Sequence, residues 1–289
     1  MTLVERLREK REDLRPMVRR FKRNKPAVLG LIIAICFLVV AIFAPHLAPY
    51  DYRVQDLERR MEVPSSDHPF GTDRFGRDIF SRVIVGTRTS VYIGFTATVM
   101  VVLLGAVIGI GAGFFGGSIE SVLMRITDIF MSIPSMFLMI VFVAVFGPSL
   151  FNTIIVIGLT RWTGIARLAR ANTMAIRNED FVEAGLATGA SDLRIILRHV
   201  LPNIMAPIVV QASLFLGQAI LTEAGLSYLG LGAQPPLPSW GNMVSDGQDY
   251  LTVAWWQATI PGAAIFFAVL AFNLFGDGVR DALDPKMKR

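Results

Sequence analysis

Residues 27–44, AVLGLIIAICFLVVAIFA, carry no charged side chain and, Cys36 apart, no polar one. As a helix this run extends about 27 Å, close to the roughly 30 Å hydrocarbon core of a bilayer. Lipid offers backbone amides no partner, so a single span closes its hydrogen bonds internally, as a helix. The stretch therefore places the chain in a membrane. Composition agrees: 53% of residues are hydrophobic and 18% are charged, against about a quarter charged in soluble domains.

Ten Lys and Arg precede this run, from Arg6 to Lys25. Basic residues beside a span are retained in the cytoplasm, so residues 1–25 read as a cytoplasmic N-terminus and 26–44 as a first transmembrane helix. The basic region is too long for a signal peptide, and no small-x-small cleavage site follows. The net charge of +5 is concentrated here as a topology signal, which argues against nucleic-acid binding. One cysteine and three scattered histidines, His46, His68 and His199, exclude an intrachain disulfide and a metal-site spacing.

Five more apolar runs follow, expected as spans at 91–115, 126–146 (with a kink at Pro134), 150–160, 204–226 and 259–275. The fourth is short for a span. The segment 45–88 reads as an external loop, although its seven arginines, interleaved with acids, oppose the simple charge rule. Within it, HPFGTDRFGRD at 68–78 has turn chemistry at Gly71 and Gly76. Residues 227–255 contain no Lys or Arg and are rich in Trp and Pro, as suits an external loop. Residues 89–279 form the expected core and 280–289 a cytoplasmic tail. With six spans, both ends lie in the cytoplasm.

Three patterns are candidates for function. Gly105, Gly109, Gly113 and Gly117 share one helix face, where another backbone can approach closely; packing within the subunit and a subunit interface both fit. Gln211, Gln218 and Thr222 share a face of the fifth span, which suits either a translocation path or interhelical hydrogen bonds. Glu223 reads as an interfacial acid, and Asp128 as a partner for Arg125. The third pattern is FVEAGLATGASDLRIILRHVLPN at 181–203, a charged island between spans within a cytoplasmic loop at 167–203. Its small residues allow close approach, while Leu193, Ile196, Leu197 and Val200 recur at helical spacing. Docking on a partner and lying on the bilayer surface both fit this pattern. The small-residue side around Gly189 is expected to face the partner and the leucine stripe to pack back. The chain has no Lys-Ser/Thr phosphate-loop sequence, no HExxH and no GxSxG.

Four motifs in order, HPFGTDRFGRDIFSR at 68–82, EAGLATGASDLRIILRHVLPN at 183–203, LSYLGLGAQPPLPSWG at 226–241 and PGAAIFFAVLAFNLFGDGVRDALDP at 261–285, resemble the inner-membrane permeases of ATP-driven dipeptide, oligopeptide and nickel importers, in particular the second permease of that group. The resemblance runs from about Lys25 to the end. It implies an all-α membrane protein of six transmembrane helices with the type I ABC importer permease fold, in the bacterial inner membrane. It implies a non-catalytic subunit, with ATP bound by two partner ATPases, a homologous second permease and an external solute-binding protein. The ATPase-coupling residues carried over are Glu183, Ala184, Gly185, Gly189, Leu201 and Pro202, with Gly185 standing where the family pattern has alanine. Peptides are the expected substrates and a nickel or other metal chelate the alternative. An intramembrane enzyme lacks its nucleophile or metal set, and an ion-coupled transporter lacks midplane ionisable residues.

Overall fold

The computed structural model describes residues 17–283. The first part of the basic N-terminus and the tail from 284 onward lie outside the described residues. Helix α1, Lys25–Leu47, is capped by Asn24, whose side chain accepts from the Ala27 amide. Helix α2, Ile79–Phe115, has 37 residues and is capped by Asp78. Then come α3 (Gly117–Ser132), α4 (Ser135–Phe146), α5 (Leu150–Arg161), α6 (Thr163–Arg177), α7 (Asp180–Ala187) and α8 (Asp192–Ile195). A π-wound turn, Ile196–Val200, joins α8 to α9 (Leu201–Tyr228), and α10 (Trp240–Gly247) and α11 (Trp256–Leu283) complete the order. No strand forms among the described residues.

Among the described residues, four helices are long and apolar enough to cross a membrane: α1, α2, the continuous α8–α9 unit and α11. The third expected span is not a kinked helix. Helices α3 and α4 meet at 86°, because Pro134 has no amide to donate and drives Ile133 into extended backbone, with φ −101° and ψ 131°. Helix α5 has only 12 residues, about 18 Å. The second span also begins earlier than expected, at Ile79, so the last ten residues of the polar 45–88 segment are the first turns of α2.

The bundle has two distinct ends. Helices α1 and α11 run antiparallel: Asn24 Nδ2 donates to Asp281 Oδ2 at 2.9 Å, and a side chain at Gly278 would meet Ala27. The end holding these termini also holds the 181–203 segment, since Val182 and Ile195 pack with Ile110 and Phe114 of α2. The opposite end is a cap made from residues 48–78 and the segment around α10. Asp73 accepts the Phe75 and Arg77 amides and Arg77 Nε, the last at 2.6 Å. The Arg74 guanidinium donates to Asp246 at 2.9 Å. His68 Nδ1 lies 2.9 Å from Asp78 Oδ1, and the Trp256 and Trp240 indoles donate to the carbonyls of Thr72 and Val83. Gly76 adopts φ +71°, and a Cβ there would fall 1.7 Å from the Asp56 carbonyl oxygen. The arginines that oppose the charge rule in this segment are thus partly neutralised within the cap.

The glycine face of α2 packs inside the subunit. Side chains at Gly105, Gly109 and Gly113 would strike Ile165, Ala166 and Thr173 of α6, with the Ala166 carbonyl oxygen only 2.2 Å from a Cβ at Gly109. Gly117 meets nothing within 4 Å. Helix α6 is also tied to α3: Arg170 Nε donates to Glu120 at 2.8 Å and Arg167 to Asp128 at 2.6 Å. Asp128 therefore pairs across helices rather than with Arg125. Glu223 is not interfacial. It is fully buried and accepts from Ser227 Oγ at 2.6 Å, because the cap segment covers that end of α9.

Gly109→Leu is expected to force α2 and α6 apart, an overpacking cost of about 1–3 kcal/mol, read as a lower melting temperature of the purified protein. Gly111→Ala, where the nearest atom lies 3.9 Å away, should leave it unchanged.

Candidate docking segment and cavity

The 181–203 segment folds as a compact elbow. Asp180 and Glu183 lie in the first turn of α7, where carboxylates favour the helix dipole. The helix closes with a Schellman turn: the Gly189 amide donates to the Leu186 carbonyl and the Ala190 amide to that of Gly185. This requires the positive φ of +74° at Gly189, a conformation other residues adopt at a cost. Gly189 is exposed and meets nothing within 4 Å. A Cβ at Gly185 would meet only Ile195, at 3.9 Å, so alanine fits there. Glu183 and Ala184 are exposed and Gly185 is half-buried.

The elbow is anchored by Val182, Ile195 and Val200, all fully buried against α2, α6 and α9 residues such as Phe114, Ala169 and Ile204. The expected leucine stripe is divided. Val200 packs inward, whereas Leu193 and Leu197 are 65% and 55% exposed. The π-wound turn takes in an extra residue and breaks the 3.6-residue repeat, so one stripe cannot face the bundle throughout. Leu201 begins α9, half-buried, and Pro202 stands exposed just after the π-wound turn. All six expected coupling residues are thus exposed or half-buried along the elbow and its turn into α9, and Leu193 and Leu197 are exposed in the same segment.

The break between α3 and α4 opens a second feature, a cavity of about 360 Å³. Gln211 and Gln218 line it together with Ser135, Thr160, Arg161 and Thr163. Thr222 does not join them. Its hydroxyl donates to the Gln218 backbone carbonyl at 2.7 Å, a helix-internal bond. Arg161 was hidden in the sequence as the residue closing a short apolar run. It is half-buried, and its buried Nε has no acceptor among the described residues. An arginine directly after an apolar run too short to span is the signal that marks it. The cavity thus sets two amides, three hydroxyls and one guanidinium against an apolar wall that includes Phe130, Ile165 and Phe215, a mixed surface able to hydrogen-bond one part of a solute and pack against another.

Comparison with known proteins agrees with this architecture. Residues 105–289 match the model of the binding-protein-dependent transport system inner membrane component family, and 14–64 match the N-terminal TM domain of oligopeptide transport permease C. The chain is 45% identical to the dipeptide transport system permease protein DppC of Alkalihalophilus pseudofirmus, over 95% of this chain and 90% of that one. It is 43% identical to the oligopeptide transport system permease protein OppC of Bacillus subtilis, over 93% and 88%. Among solved structures, a chain of the MetNI methionine ABC transporter in inward-facing conformations superposes with a TM-score of 0.57 at 18% identity, over 71% of this chain and 98% of that one. With the family model covering well over half the sequence, the chain belongs to the binding-protein-dependent transport system inner membrane components.

Proposed function

We propose that this chain is the membrane permease subunit of an ATP-driven ABC importer for peptides, contributing half of the translocation path. The observation that carries the reading is similarity of 43–45% over nearly the whole chain to permeases named for dipeptide and oligopeptide transport. The relatives favour peptides over the metal-chelate alternative, since others among them are named for di/tripeptides and glutathione. The chain is a non-catalytic membrane subunit. Its energy comes from two ATP-hydrolysing partners, with a homologous second permease and an external binding protein completing the complex.

In this reading Glu183, Ala184, Gly185, Gly189, Leu201 and Pro202 form the surface that meets an ATPase. The open surroundings of Gly189 and the outward Leu193 and Leu197 support that role, because an unpartnered mixed surface at one end of a membrane bundle is what a docking partner would cover. Gln211, Gln218 and Arg161 line part of the path, and Thr222 supports the backbone beside them. The end bearing the elbow and both termini is cytoplasmic, consistent with the N-terminal basic cluster, and the cap faces outward. Helices α3–α4 and α5–α6 supply two further crossings, giving six, with the type I importer arrangement.

Coupling is tested by reconstituting the full transporter in proteoliposomes. Glu183→Lys should lower ATP-dependent peptide uptake by at least about tenfold, equivalent to about 1.4 kcal/mol of docking energy, with normal membrane insertion. Gly185→Ala should retain uptake and gain up to about 1 kcal/mol of helix propensity. Wild-type uptake in Glu183→Lys would refute docking at this elbow. The path is tested by Gln211→Leu with Gln218→Leu: peptide uptake should fall while ATPase activity of the complex persists, whereas parallel loss of both would assign these residues to packing.

A further inference from the structure

A second recess, of about 170 Å³, lies in the cap between the start of α2 and residues 227–246. Arg77 and Arg82 line it and are only 8% and 4% exposed. A guanidinium offers five N–H donors and no acceptor. Arg77 donates Nε to Asp73 at 2.6 Å, but its Nη2 lies 3.7 Å from Asp246 Oδ2 and has no hydrogen-bond acceptor among the described residues. Arg82 is less well matched. Its Nε is 3.6 Å from Asp73 and its Nη2 is 4.0 Å from Asp246, both beyond hydrogen-bonding distance, and its buried Nη1 has no acceptor among the described residues.

No group lining the recess accepts a hydrogen bond from Arg77 Nη2 or Arg82 Nη1 as the side chains stand. The Gln234 amide donates to the carbonyls of Gly230 and Gly232, and the Asn242 amide to those of Ala233 and Leu237. The Ser227 hydroxyl donates to Glu223. Asp246 is engaged by Arg74 and Asp73 by Arg77. Asp78 caps α2 and pairs with His68. Three guanidiniums, those of Arg74, Arg77 and Arg82, therefore share the two carboxylates of Asp73 and Asp246. Burying a charged donor without an acceptor is costly, so the recess favours a ligand that brings one negative charge and several lone pairs. A planar carboxylate matches two guanidinium forks, which is the pairing arginine makes best.

We infer that this recess is a binding site for a single carboxylate, held by Arg77 and Arg82. Occupancy joins the first turns of α2 to the 227–246 segment, so the ligand draws the cap together. The site is separate from the Gln211–Gln218 cavity, and the inference stands independently of the peptide reading.

The test is thermal unfolding of the purified transporter complex in rising acetate, with ionic strength balanced by a bulky sulfonate. Acetate should give a saturable rise in melting temperature of about 3 °C. The rise should vanish in Arg82→Gln, and also in Ser245→Leu, which fills the recess while leaving every guanidinium in place. No saturable rise in the wild type, or an undiminished rise in Ser245→Leu, would overturn the site. Equal protection by bromide would overturn the carboxylate assignment. If a saturating dipeptide abolishes the acetate increment and its C-terminal amide does not, the carboxylate is that of a substrate; if neither does, it is a free acid.

Discussion

The contact on which the bundle depends is the approach of two backbones, α2 and α6, at Gly105, Gly109 and Gly113. In lipid, burying a leucine against another helix gains little over leaving it among acyl chains, so tight van der Waals contact between backbones drives association. Once α6 lies flat on α2, its polar face must find partners. It does so through Arg167 and Arg170, which hold α3 alongside by its acids. The lower end of the same seam, with Ile110 and Phe114, forms the floor on which the elbow of α7 and α8 rests. One row of missing side chains thus positions the elbow and the helix that lines the cavity.

Much of this was legible in the sequence, for identifiable reasons. Long apolar runs mark helices because lipid leaves the backbone no alternative. The 181–203 island was visible because charge between such runs is conspicuous, and Gly189 ends α7 as a glycine after a helical run should. What was not legible depended on contacts distant in sequence or on broken periodicity. Asp246 reaches Arg74 across 172 positions, so the neutralisation of the cap arginines had no local signature. The π-wound turn at 196–200 reset the register and turned Leu193 and Leu197 outward. Pro134 announced a disturbance, but its size, 86° rather than a kink, depends on what α3 and α4 each pack against.

The two ends of the bundle are built on opposite physical terms. The cap is held by directed polar contacts: indoles on carbonyls, carboxylates on guanidiniums, glycines in turns that no other residue fits. The elbow rests on a few buried aliphatic side chains and leaves its polar and small residues free. An end cross-linked by directed contacts suits a surface that must keep its shape, and a lightly anchored end suits one that rearranges at lower cost.

The continuity of α9 gives these two ends a mechanical relation. From Leu201 to Tyr228 the helix has 28 residues, a rod about 42 Å long. Its near end joins the elbow directly through the wide turn, with no intervening loop to absorb motion. Tilting such a rod by about 10° about its near end sweeps its far end through about 7 Å at 1.5 Å of rise per residue. One continuous helix therefore links the elbow to the cap, and any rotation at its near end would displace its far end in proportion to its length.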